Sequence, residues 1–247
     1  MKYIADLHTH TVACGHAYST LTENMMEAHK KGLKVYGVSE HAPMMPGGAH
    51  IYFFHNIKKV VPQYYEDVLI LKGAEANILN LEGKLDLEEG SLKRLDYIIA
   101  SLHVPVLKSG TKEENTDCLI KTMQNPYVTI IAHPDDSRFP LDYERLVLAS
   151  KEYGVLLEVN NSSLNPLASR VGGRENILEY LKLCKKYQVP IILGTDSHYH
   201  PQVGDFSESV KLLEEVGFPE DLVANSDLDF FMECINKKKE VPLEYIR

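Results

Sequence analysis

Short apolar runs alternate along the chain with longer stretches in which apolar residues recur every three or four positions. The runs at 3–5, 35–38, 69–71, 97–100, 128–132, 155–159 and 191–193 predict seven strands. The periodic stretches at 23–31, 115–123, 143–153, 176–187, 207–216 and 229–236 predict helices. The first of these opens on Thr20 and Glu23, the spacing of a capping box, and stops at Gly32. Strands this short and continuously apolar are buried on both faces, as in a parallel sheet. Strand–helix alternation repeated in this way predicts an α/β fold. No linker, composition shift or repeat divides residues 1–247, so a single domain is expected.

Polar residues collect where the runs end. In order these clusters are Asp6-Leu7-His8-Thr9-His10, Ser39-Glu40-His41, Gly73-Ala74-Glu75-Ala76-Asn77, Ser101-Leu102-His103, Ala132-His133-Pro134, Glu158-Val159-Asn160-Asn161 and Gly194-Thr195-Asp196-Ser197-His198. A parallel barrel brings every strand's C-terminal end to one face, where sites are built. An open doubly wound sheet concentrates ligands at one crevice and leaves its outer strand ends uninvolved. Clusters on all seven ends favour a barrel.

Composition sharpens the picture in one respect. With 44% hydrophobic and 25% charged residues the chain has an ordinary globular profile, and its net charge of −9 gives it no general attraction for nucleic acid. Histidine is the unusual count, at 11, and imidazole is the commonest metal ligand in proteins. Cys14, Cys118, Cys184 and Cys234 form no CxxC pair and read as free buried thiols. The start, MKYIADLHTH, turns polar too soon for a secretory signal, and no apolar run is long enough to span a bilayer. A cytoplasmic protein without a membrane partner is expected.

His8 and His10 point the same way if the segment is extended, so both can reach one ion. Alone, such a pair fits two surface imidazoles as readily as a metal site. Asp196 and His198 repeat the spacing, and His41, His103 and His133 each sit at an equivalent strand end. Glu75 ends an almost uncharged stretch, where a carboxylate is costly to bury unless it is paired or metal-bound, and a carboxylate can bridge two ions. His16, in the loop after the first strand, can lean over the same place. His29 and His200 read as surface residues. His50 and His55 flank an aromatic run read as a loop, either a pocket rim or plain packing.

The ordered set DLHTH, SEH, GAEAN, SLH, AHP and GTDSH resembles the PHP (polymerase and histidinol phosphatase) superfamily, and within it the small free-standing YcdX-like phosphatases. The likeness runs from Tyr3 to about Phe206. It implies a distorted (βα)7 TIM-like barrel with a trinuclear site, usually of zinc, with manganese or iron as the other choices. On the matching positions, His8, His10, Glu75 and Asp196 would hold one ion. Glu75, His103 and His133 would hold a second, with Glu75 bridging, and His16, His41 and His198 a third. Nine ligands with one shared suit three ions of three or four protein ligands each. The likeness also makes a trimer worth testing.

The expected chemistry is hydrolysis of phosphate monoesters on a small substrate by a metal-bridging hydroxide. Glu75, Asp196 and Asp6 are its catalytic carboxylates, with Asp6 steering His10 or another ligand. Arg138, Arg170 and Arg174 are candidate phosphate contacts, since guanidinium pairs bidentately with phosphate. The competing readings are an amidohydrolase-type C–N or lactone hydrolase, a PHP-type nuclease, and a metal-binding protein without turnover.

Overall fold

The computed structural model describes residues 3–245. Seven parallel strands run in the order β1 (Ala5–Asp6), β2 (Val35–Val38), β4 (Val68–Asn77), β5 (Tyr97–Ser101), β6 (Val128–Ile131), β7 (Leu156–Asn160) and β8 (Ile191–Gly194). They form a nearly closed, distorted TIM-like barrel in one α/β domain. A two-residue β3 (Tyr64–Tyr65) adds an antiparallel edge to the start of β4. The helices are α1 (Leu21–Lys31), α2 (Ile51–Val60), α3 (Glu89–Arg94), α4 (Lys112–Met123), α5 (Tyr143–Tyr153), α6 (Gly173–Tyr187), α7 (Ser207–Val216) and α8 (Leu228–Asn236). None is long and apolar enough to cross a membrane among the described residues.

The seven expected strands are present, and each is buried along its length because both faces are covered. One set of side chains, including Ala5, Leu7, Val35, Leu71, Ile99, Ile130, Leu156 and Ile192, fills the barrel interior. The alternate set, including Val38, Ile70, Ile98, Ile131, Leu157 and Leu193, packs against the helices. Tyr97 crosses the interior, and its hydroxyl donates to Leu7 O at 2.6 Å. Its ring fits because Gly37 and Gly73 lack side chains: a Cβ on Gly37 would lie 2.3 Å from the Tyr97 oxygen. Phe231, Cys234 and Ile235 of α8 join residues from the strand starts and plug the N-terminal end of the barrel.

β1 and β8 are not joined by a regular ladder. Asn225 fills the gap between them: its amide donates to Ala5 O and Leu193 O, each at 3.0 Å, and its own carbonyl accepts from Ile4 N at 2.9 Å. Beyond it the seam closes through the parallel bridge between Thr9 and Ser197. This closure draws the ends of the first and last strands together, and the candidate site lies on both.

The α1 boundaries follow the sequence signals, with a reciprocal Thr20–Glu23 capping box and Gly32 in the left-handed region at φ 73°. The expected loop around the aromatic run is helix α2, with His50 as its N-cap accepting from Tyr52 N. β4 is ten residues long, not three. Lys72 interrupts its apolar pattern, yet the side chain is buried and donates to Pro62 O and Ile70 O at 2.7 Å each.

Candidate metal centre

The extended chain beyond β1 aims His8 and His10 to one side. Their Nε2 atoms lie 3.4 and 3.5 Å from Glu75 Oε2, and 3.5 and 3.2 Å from Asp196 Oδ1. The other oxygen of Glu75 faces a different pair, 3.2 Å from His103 Nε2 and 2.9 Å from His133 Nε2. His41 Nδ1 is 2.6 Å from Glu75 Oε2. The carboxylate thus serves a different imidazole set with each oxygen, which is the geometry a bridging ligand needs. His16 closes over His41 and His198, with ring centroids 5.0 and 4.6 Å away. All nine side chains picked out as ligands converge at the C-terminal mouth of the barrel.

Ligand atoms lying within 4.8 Å of one another form the groups His8–His10–Glu75, His8–His133–Asp196, His41–Glu75–His103 and His16–His41–His198. A fifth group, His10–Cys14–His198, brings in a thiol that sequence reasoning had left as plain core.

The donor set fits cations. Buried polar groups are normally hydrogen-bonded. Here His8 Nε2, both nitrogens of His10, His41 Nε2 and His198 Nε2 are buried without a hydrogen-bond partner. On the far side of several rings the partners are in place. His8 Nδ1 donates to Glu158 Oε1 at 2.7 Å, His103 Nδ1 to Asn77 Oδ1 at 2.7 Å, and His198 Nδ1 to Asp196 O at 2.9 Å. Each bond leaves an Nε2 lone pair pointing inward, the usual outer support of a metal-binding imidazole. Ser101 also donates to Glu75 Oε1 at 2.6 Å.

Electrostatics agree. Burial would raise the Glu75 carboxyl, but His41, His8 and His103 hold it well below the ordinary carboxylate range. Burial, with Arg170 beside it, lowers His133 to about 4, and burial with His198 beside it does the same for His16. Burial drives His10 well below its ordinary value, with His41 adding to the effect. Neutral imidazoles at neutral pH are the ligand form. His8 and His41 shift the other way: burial opposes their protons, but Glu75 and Asp196, joined at His8 by Glu158, outweigh burial, so a cation there competes with a proton.

Two of these nine residues sit on strained backbone, His133 at φ 31° and Asp196 at φ 54°. Asp6 explains part of this. It was expected to steer His10 or another ligand, and its oxygens bond beside Asp196: Oδ2 accepts from Thr195 Oγ1 at 2.6 Å and Gly204 N at 2.9 Å, and Oδ1 from Thr195 N at 3.3 Å. Asp6 anchors the residue before the left-handed Asp196. The reason is positional, because Asp6 lies two residues before His8, at a depth where Thr195 and Gly204 come within reach of its oxygens.

Of the three arginines, Arg170 donates to Asp196 Oδ2 at 2.8 Å, and Arg138 is held by Asp136 through bonds of 2.9 and 3.0 Å from Nε. Both line a mouth cavity of about 470 Å³ together with His16, His41, His103 and His198. Arg174 is placed elsewhere. It points outward from α6 to pair with Glu215 on α7. The four remaining histidines have local roles. His29 pairs with Asp67, His50 caps α2, and His55 and His200 meet Ser91 and Ser19.

Asn77, Ser101 and Glu158 support the centre without having been assigned a role from sequence. Asn77 and Ser101 lie two residues from Glu75 and His103, so period-two reasoning could have placed them on the same face.

Residues 6–162 match the PHP domain family model. A protein of Thermoanaerobacter sp. (strain X514) named a probable phosphatase is 47% identical over 240 residues, covering 97% of each chain. One of the same name from Acetivibrio thermocellus is 45% identical over 240 residues, covering 97% of this chain and 98% of its own. Among solved structures, histidinol phosphate phosphatase from Lactococcus lactis, complexed with zinc, L-histidinol and phosphate, superposes with a TM-score of 0.59. That match covers 89% of this chain and 95% of the other at 17% identity, a likeness of fold. With the family model spanning well over half of its length and full-length relatives this similar, the chain belongs to the PHP domain family.

Proposed function

We propose that the protein hydrolyses phosphate monoesters of small substrates at a trinuclear zinc centre in the barrel mouth. The observation that carries this is Glu75, whose two oxygens face different histidine sets while His8 Nε2 and His10 Nε2 beside it are buried and unpartnered. The relatives named probable phosphatases and the zinc- and phosphate-bound Lactococcus enzyme support it. Glu75 with His8, His10 and Asp196 would hold one ion, Glu75 with His103 and His133 a second, and His16, His41 and His198 a third. Such ions would acidify water and neutralise phosphate oxygens, which lets a chain of net charge −9 accept an anion.

The chain's own residues supply the rest. Arg170, fixed against Asp196 Oδ2 and donating to Asn160 and Ser163, presents guanidinium N–H groups at the mouth where phosphate oxygens would lie. Arg138, carried on the cavity wall by Asp136, is the second contact. Asp6 holds Thr195, and through it the backbone of Asp196. Met45, Leu102, Val104 and Ala168 give the same cavity an apolar side for the alcohol portion. The acidic chain argues against a nucleic-acid substrate.

The test is turnover of a chromogenic phosphate monoester by purified protein. Hydrolysis that a chelator abolishes and zinc restores supports the reading. Hydrolysis of lactones or amides with none of phosphate esters would replace it.

A further inference from the structure

Every strand end of the barrel except that of β7 carries a residue assigned here as a metal ligand. β7 instead ends on Glu158 and Asn160, both buried. Glu158 Oε1 accepts from His8 Nδ1 at 2.7 Å. Its Oε2 accepts from His133 N at 2.9 Å and from Asn160 Nδ2 at 3.0 Å. One carboxylate therefore reaches the ring of a ligand on β1 and the backbone of a ligand beyond β6, and His133 is the residue at φ 31°. The neighbouring strand makes room for it: a Cβ on Gly194 would lie 1.8 Å from Glu158 Oε1.

We infer that Glu158 is the positioning residue of the centre, holding His8 as the Nδ1–H tautomer and the left-handed turn at His133 so that both rings present Nε2 to Glu75. A carboxylate can only accept, so the proton on His8 is confined to Nδ1 and the Nε2 lone pair faces inward. Releasing His133 N–H from Glu158 leaves a strained residue without its restraint, and its ring swings relative to Glu75 Oε1. The inference rests on the metal-centre reading, but its first readout does not need metal.

That readout is the tautomer of His8, followed by 15N–1H NMR of metal-free protein at a pH high enough to neutralise the ring, since the carboxylates around it favour its protonated form. The wild type should show Nδ1–H. Glu158→Ala should lose the preference, and Glu158→Gln should keep it, because the glutamine carbonyl can still accept from His8. The second readout is zinc affinity by competition with a chelator. Outer partners of metal ligands are worth about 10–100-fold in affinity. Glu158→Ala should therefore weaken the two ions assigned to Glu75 by up to about 100-fold and spare the one assigned to His16, His41 and His198. Glu158→Gln should weaken the same two by about 10-fold, since its NH2 group cannot accept from His133 N–H. Gly194→Ala, which displaces Glu158 without removing it, should behave like Glu158→Ala.

Unfolding of the variants would show in the melting temperature of the metal-free protein, and Glu158→Gln, the smallest change, then carries the comparison. Wild-type tautomer and wild-type affinity in both Glu158 variants would overturn the inference. A wild type that binds no zinc yet holds His8 as Nδ1–H would remove the metal-centre reading and leave the positioning intact.

Discussion

The two ends of the barrel are built from the same strands under opposite rules. At the N-terminal end, Ala5, Val35, Leu69 and Leu156 meet Phe231, Cys234 and Ile235 of α8 in a closed apolar plug. At the C-terminal end the strands finish in buried imidazoles and carboxylates, with atoms that find no partner in the protein and two residues in the left-handed region. The plug lowers the free energy of the fold by removing apolar surface from water. The mouth raises it, through desolvated charge and backbone strain, and is tolerable because the groups arranged there suit cations. Stability and chemistry are thus separated by the length of one strand.

Substitutions at the two ends should separate the same way. The largest effect is expected at Glu75. Glu75→Gln removes one negative charge from the point between the imidazole sets, so turnover should fall by ~10²–10³-fold or more, with loss of bound metal. The melting temperature of the metal-free protein should also fall, since His8 and His41 lose the buried counter-charge that holds Glu75 ionised. At the plug, Phe231→Ala should cost about 3–5 kcal/mol in denaturant unfolding while leaving the kcat of the folded enzyme intact. A Phe231 variant with normal stability and lost turnover would break the division.

The arginines sharpen it further. Arg170→Ala should lower kcat/KM by roughly 10²-fold, because it removes a phosphate contact and frees Asp196 Oδ2. Arg174→Ala, at a half-exposed pair with Glu215, should change kcat/KM by less than about twofold and stability by about 0–1 kcal/mol.

Asp135 gives the pH arm. It is buried at the mouth with both oxygens unpartnered, and burial pushes its carboxyl up to about 7. A carboxyl raised in the folded state favours folding while it is protonated in both states. That benefit is lost as pH rises from about 4 towards 7, where the unfolded chain ionises first. Metal-free Asp135→Asn should therefore be more stable than wild type at pH 8 and no more stable at pH 4, measured by urea unfolding. The smallest effect is expected at the core thiols. Burial pushes Cys118 up to about 11, and Cys184 and Cys234 up to about 12, so iodoacetamide at pH 8 should label them only after unfolding.

Much of the barrel could be read from the chain because its strands are short, apolar and bounded by polar ends. The parts that could not be read depend on tertiary partners. α2 begins at His50, a cap that propensity does not mark, and its aromatic run resembles a loop until Phe54 and Ile57 are seen to be buried. β4 is broken in the sequence by Lys72, whose charge is satisfied by carbonyls that only the fold supplies. At the site, the nine residues that converge on the mouth were legible because each lies near or just beyond the C-terminal end of a strand. The outward course of Arg174 was not, because proximity in sequence to Arg170 says nothing about which way a side chain faces. Glu158 escaped because a residue that acts through another side chain has no spacing of its own to betray it.

If the orphaned imidazoles and Glu75 at the mouth form one multinuclear metal centre, elemental analysis of the purified protein should find about three divalent ions per chain, falling in Glu75→Gln. A wild type carrying one ion or none after incubation with zinc would contradict it.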